Sequence, residues 1–198
     1  YAGCGGSGTV SYKKSIFIGT NAGALINSGN CNIFMGHYAG KGDTTNGITG
    51  NDNVIVGQDA GCLLSSGSCN VLLGKCSGNS LTSGADNIAL GLKAGKAIVG
   101  GARNIFIGKS AGATSTALEG YDNIAIGCRT GEDITNGLYN VLFGRNVAKG
   151  LTTGSRNIAI GAGALGGDSN TTVTGSNNIA LGMAALPRIT SWKSNVSI

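Results

Sequence analysis

Apolar and polar positions along this chain follow one short phrase, Asn–[Ile/Val]–x–Φ–Gly with Φ apolar, that returns from end to end. Copies start at Ser15, Asn32, Asn53, Asn70, Asn87, Asn104, Asn123, Asn140, Asn157 and Asn178, and a further partial copy covers Asn195–Ile198. The intervals between them are 17, 21, 17, 17, 17, 19, 17, 17, 21 and 17 residues. A period held this tightly marks a repeat architecture, in which each unit buries apolar surface only against its neighbours. The longer intervals fit a 17-residue rung carrying surface insertions around 41–46, 113–116 and 166–170. The chain therefore reads as an all-β parallel solenoid of about eleven rungs. It forms a single repeat domain over 1–198: a partial rung over 1–14, ten full repeats over 15–186 and a truncated one over 187–198.

With the Asn counted as position 0, +1 is Ile or Val in every copy, and +3 is Ile, Leu, Val, Met or Phe. Side chains alternate along a strand, so +1 and +3 share a face. Their β-branched character suits a pleated surface, and they are expected to fill the inside of the coil. Position +2 points the other way and is also apolar, from Phe17 to Ala180, with Ser197 the exception. Strands apolar on both faces are covered on both faces. The +2 side chains, foremost Phe17, Phe34, Ile55, Leu72, Phe106 and Leu142, are therefore expected to form an outer self-association face that meets identical chains around an axis.

Glycine ends each strand at +4 in all ten complete copies and recurs at −3 in nine, where tight corners need positive φ or close backbone approach. The Asn at 0 can take a left-handed conformation and can hydrogen-bond along the stack. Small +7 residues, such as Ala22 and Ala39, suit a tight outer turn. Apolar +11 residues, such as Ile26, Leu64 and Leu81, predict a second short strand facing +1 and +3.

The copies Gly-Ala-Asp-Asn-Ile-Ala-Leu-Gly (84–91), Gly-Ser-Arg-Asn-Ile-Ala-Ile-Gly (154–161) and Gly-Ser-Asn-Asn-Ile-Ala-Leu-Gly (175–182) resemble the head repeats of trimeric autotransporter adhesins. Tail-fibre proteins of bacteriophages carry similar repeats. The resemblance covers 15–198 and implies a left-handed parallel β-roll, trimeric and used for attachment. The rung here is longer than the adhesin repeat, and +2 carries Phe or Leu where that family favours Ala.

Composition narrows the classes. Glycine numbers 37 without the every-third spacing of collagen, and proline occurs once. Charged residues make up 12% and apolar ones 41%, which argues against disorder. No apolar run is long enough to span a bilayer, and no secretion signal is recognisable, so no membrane insertion is expected. The net charge of +5 is spread along the chain. Six cysteines, Cys4, Cys31, Cys62, Cys69, Cys76 and Cys128, fall in different phases of neighbouring rungs. Free thiols are expected rather than a disulfide ladder.

Chemistry is sparse. Gly161–Gly166 matches the dinucleotide pattern G-x-G-x-x-G but lacks the crossover helix it needs, and Gly108–Lys109–Ser110 only resembles the end of a phosphate loop. His37 is the one histidine, at an exposed +5 corner with no ligand cluster and no dyad partner. No catalytic residue, metal site or cofactor is assigned, and the expectation is a non-enzyme that binds no nucleic acid.

Two charge patterns stand out. Lys75, Lys93, Lys109, Arg129 and Arg145 occupy +5 or +6 in five successive rungs, about 4.8 Å apart. They form a candidate ridge for an anionic ligand such as an acidic surface glycan. The commoner use of such a ridge is to keep fibres soluble and edges unpaired. At −1, Asp86, Arg103 and Asp122 alternate in sign and predict a surface salt-bridge ladder. Asn170-Thr171-Thr172 is a candidate glycosylation sequon; Asn195-Val196-Ser197 also matches but sits on a predicted strand.

The sequence is thus read as a structural fibre or filament protein of a cell surface or virion, with an adhesin or receptor-binding head for acidic glycans as the alternative. Ice binding would need a flat Thr-x-Thr ladder, and a pectinase-like solenoid would need clustered acids; neither recurs. The partner is another copy of the chain, in a homotrimer, a head-to-tail filament or both. The partial rungs at the two ends, which laid together nearly complete one unit, imply either a piece of a longer tandem array or head-to-tail stacking into a filament, and the second is the expectation.

Overall fold

The computed structural model describes residues 14–45, 47–166, 172–187 and 190–198. The predicted sequon at Asn170, Cys4 and most of the partial first rung lie outside them. The described residues are all β, with no helix, and coil into a parallel β-solenoid. Each copy of the phrase contributes one three-residue strand: β1 (Ile16–Ile18), β2 (Ile33–Met35), β3 (Val54–Val56), β4 (Val71–Leu73), β5 (Ile88–Leu90), β6 (Ile105–Ile107), β7 (Ile124–Ile126), β8 (Val141–Phe143), β9 (Ile158–Ile160) and β10 (Ile179–Leu181). The two-residue β11 (Val196–Ser197) closes a single sheet in which the strands stand in chain order. Register is constant, with Phe106 facing Ala89 on one side and Ala125 on the other.

Each strand is short because its two ends are fixed. At +4 the glycines take φ between 121° and 138°, a region closed to L side chains. They also stack directly: a Cβ on Gly91 would lie 2.8 Å from the carbonyl oxygen of Gly108. At the other end, the Asn side chains turn inward and run as a hydrogen-bonded column. The Oδ1 of Asn53 accepts from the backbone N–H of Asn70 at 3.0 Å and from its Nδ2 at 3.0 Å. Asn70 Nδ2 also donates to the carbonyl of Gly84 at 2.9 Å, tying the column to the −3 glycines. The Asn residues from Asn32 to Asn178 are fully buried, so every amide removed from water needs these partners.

The strand faces are the reverse of the expected ones. Position +2 shares its parity with the inward Asn and is the interior: Phe34, Ile55, Leu72, Phe106 and Leu142 are fully buried within the one chain, and Phe17 is partly buried against the same core. None of these six is available as an outer self-association face. The outer face of the sheet is made by +1 and +3. The +7 and +11 side chains complete the core beside +2, so the alanines expected on an outer turn are inside. The +11 residues face +2 rather than +1 and +3. Among the described residues they form no second strand; the isolated bridges there are Ile26↔Ile48, Ile98↔Leu118 and Leu151↔Val173, one at each of the three longer rungs.

The interior is narrow, and its filling is complementary. Phe106 lies between Ala89 and Ala125, whereas Phe17 and Phe34 stack with ring centroids 5.3 Å apart. At +8, Gly112 has φ 58° and backs onto the Phe106 ring, which a Cβ would meet at 2.6 Å. Left-handed backbone also recurs at non-glycine residues, at −1 (Lys14 to Ser194) and at +6 (Asn21 to Ala184), and not at the Asn itself. None of those residues is β-branched, as the steric cost of that region requires.

Candidate functional site: an apolar sheet face between two charged flanks

The +1 and +3 positions of all eleven strands are Ile, Val, Leu, Met or Phe, and they all lie on one side of the sheet. They are half-buried to exposed. Ile18 is 54% exposed, Phe143 53% and Ile160 44%, each flanked by further aliphatic side chains one rung away. The face is about 50 Å long from the usual interstrand spacing. It carries no polar side chain at any +1 or +3 position. Nothing in the sequence pattern distinguished this face from the other by polarity. The overlooked signal was the Asn at 0, which shares the parity of +2, together with the tolerance of +2 for Ala.

Beyond the +4 glycines runs the basic flank. Lys75, Lys93, Lys109, Arg129 and Arg145 are all exposed and follow one another on consecutive rungs. The two columns are joined through the backbone: Lys93 N–H donates to the Lys75 carbonyl at 2.9 Å, and Arg129 N–H to that of Lys109 at 2.9 Å. Lys93 and Arg129 sit in the left-handed region, with φ 59° and 56°. Arg129 Nε meets Glu132 Oε2 at 2.8 Å, and this carboxylate raises the Arg129 pKa further. The other four cations make no ion pair among the described residues.

The opposite flank is the −1 column. The expected ladder is realised at one step. Arg103 grips Asp122 through Nε at 2.7 Å and Nη2 at 2.9 Å, while Asp86 forms no such pair. The hydrogen bond from Arg103 holds the Asp122 carboxyl below the usual carboxylate range. Arg103 also lies over the Tyr121 ring at 5.4 Å, Tyr121 meets Tyr139 edge-on at 6.0 Å, and Arg156 lies over Tyr139 at 5.6 Å. This aromatic and cationic run over rungs six to nine did not register in the sequence, because its members fall at both −2 and −1.

His37 is exposed, with its ring 4.0 Å from that of Tyr38; it stands after β2, whereas Cys31 precedes that strand. Among the described residues no group of His, Cys, Asp and Glu could hold a metal ion. The five described cysteines are free, and burial pushes the Cys62 thiol pKa up. Gly161 and Gly108 each close a strand and enter a turn, and no helix occurs among the described residues to give either glycine motif the context a nucleotide site needs. No helix among the described residues is long and apolar enough to cross a membrane. Comparison of the chain with protein-family models, with curated proteins and with solved structures finds no match.

Proposed function

We propose that the protein is a structural, non-catalytic fibre element of a cell surface or virion, built by packing the +1/+3 sheet face against copies of itself. The observation that carries this reading is the uninterrupted apolar character of that face. Ten of its side chains, among them Ile16, Ile18, Phe143 and Ile160, are exposed, and an apolar surface that runs the length of the sheet marks an interaction site rather than an ordinary monomer surface.

Its chemistry favours a second copy as the occupant. A flat strip with no polar group offers nothing to orient a small ligand. A surface that repeats every 4.8 Å or so is matched along its whole length by another solenoid of the same rung spacing. Three copies around an axis is the number implied by the resemblance to trimeric adhesin heads, and a rigid rod of that kind suits projection or attachment outside a cell.

Light scattering tests the proposal on the wild type and on the double variant V141D/F143D. The wild type is expected at a multiple of the chain mass. The variant is expected at the mass of one chain with its β circular dichroism kept, because unpaired carboxylates in an apolar contact are strongly disfavoured. A wild-type chain that stays monomeric at high concentration would sink the idea.

A further inference from the structure

We infer that the +5/+6 ridge is a binding site for a linear acidic polysaccharide lying along the solenoid axis. The inference does not depend on self-association, since the ridge stands beyond the +4 glycines and outside the apolar strip. Three features carry it. A cation stands on each of five successive rungs, four of them without an ion pair among the described residues and Arg129 paired with Glu132, and no acidic residue occupies +5 or +6 in that stretch; the residues between them are Cys76, Leu92, Ser110, Cys128 and Asn146. Their backbone is held rigid by the rung-to-rung hydrogen bonds of the two columns and by the left-handed corner. The backbone points from which the charges project are thus set in place before a ligand arrives, so only the side chains are left to order on binding.

Their spacing is the third feature. Lys75, Lys109 and Arg145 share the +5 column at two-rung intervals, with Lys93 and Arg129 between them at +6. Cations therefore alternate across a straight line, about 4.8 Å per step and about 9.6 Å within a column. A stretched sugar chain bearing sulfate or carboxylate groups on alternate sides presents charges in the same manner. Duplex DNA does not, because its phosphates wind around the axis. Single-stranded nucleic acid is held chiefly by base stacking, and no aromatic residue occupies +5 or +6 on these five rungs. The Ser110 position stands between the cations, where its hydroxyl can meet sugar hydroxyls.

The test uses heparin oligosaccharides of increasing length, titrated by calorimetry at several salt concentrations. Affinity is expected to rise with length until the ligand spans five rungs and then to flatten. The triple variant K75Q/K109Q/R145Q is expected to lose at least tenfold in affinity, with the log–log salt slope falling by about two. The triple K14Q/R156Q/K193Q removes the same charge from the opposite −2/−1 flank and is expected to bind within twofold of wild type. Light scattering on both triples is expected to give the wild-type mass, which separates failure here from failure of the fibre reading. Equal losses in the two triples would show a net-charge effect and overturn the site. Absence of heparin binding, or a ridge-dependent affinity for single-stranded DNA or anionic vesicles at least as strong as that for heparin, would overturn the ligand class.

Discussion

Asn87 and Asn104 are joined twice across one rung: the Oδ1 of Asn87 accepts from the backbone N–H of Asn104 at 3.0 Å and from its Nδ2 at 3.2 Å. The same bifurcated contact recurs up the solenoid, from Asn32–Asn53 to Asn178–Asn195. It sets the vertical register, because a neighbouring rung can shift only by breaking both bonds. It also explains why Asn holds position 0 in every copy after the first. Glutamine would be too long, and aspartate would lose the Nδ2 donor while burying a charge.

Replacing Asn104 by Ala is therefore expected to cost about 2–4 kcal/mol, since it leaves the backbone N–H of Asn123 and the carbonyl of Gly120 without their partner and takes one acceptor from Asn123 Nδ2, which keeps the Gly137 carbonyl. Urea unfolding measures it. A cost below that of an ordinary surface substitution would mean water substitutes for the ladder.

The core assignment reverses the outcome that the expected faces would give for two aspartate substitutions. Phe34→Asp places a carboxylate in a fully buried column and is expected to abolish cooperative unfolding. Phe143→Asp falls on the outer face, and its β circular dichroism is expected to survive. Far-ultraviolet spectra of the two variants side by side make the comparison, and a folded Phe34→Asp protein would contradict the interior.

Phe106 is the largest side chain between two alanines, so truncation leaves a hole that its rigid neighbours cannot close. Phe106→Ala is expected to cost about 3–5 kcal/mol. Adding Ala125→Phe to that variant moves the ring up one rung, against Gly131 rather than Gly112. It is expected to recover part of the loss, and the melting temperatures of the two variants give the answer.

The left-handed corners predict a dependence on branching. Asp86 has φ 59° at −1. Asp86→Val is expected to destabilise by about 1–2 kcal/mol or more, because a β-branched residue is excluded there, whereas Asp86→Asn leaves stability unchanged within error. Chemical denaturation of the pair isolates the backbone effect from the loss of charge.

Thiol chemistry should follow burial. Cys69 is exposed, whereas burial pushes the Cys62 pKa up. At pH 8 Cys62 is expected to alkylate several-fold more slowly than Cys69, read by mass spectrometry of the digested protein, because the thiolate is the reacting species. Equal rates would place Cys62 in open solvent.

The period of the phrase, read as sequence, determined the solenoid, the position of every described strand and which three rungs are longer than the rest. It did so because each rung repeats the same local instruction: Asn to enter, two apolar side chains on one face, glycine to leave. The charged ridge was legible for the same reason, since equal phase in sequence becomes adjacency in the stack. The run from Arg103 to Arg156 was not, because its contacts cross between two columns through long side chains whose direction the phase does not set. Nor could alternation say which strand face is inside when both are apolar. Only the tertiary structure decided that. The buried Asn column must face inward to find its partners, +2 follows it by parity, and the narrow space beside the +7 alanines and +8 glycines admits one side chain per rung there. The two richer apolar positions, +1 and +3, are left on the outside.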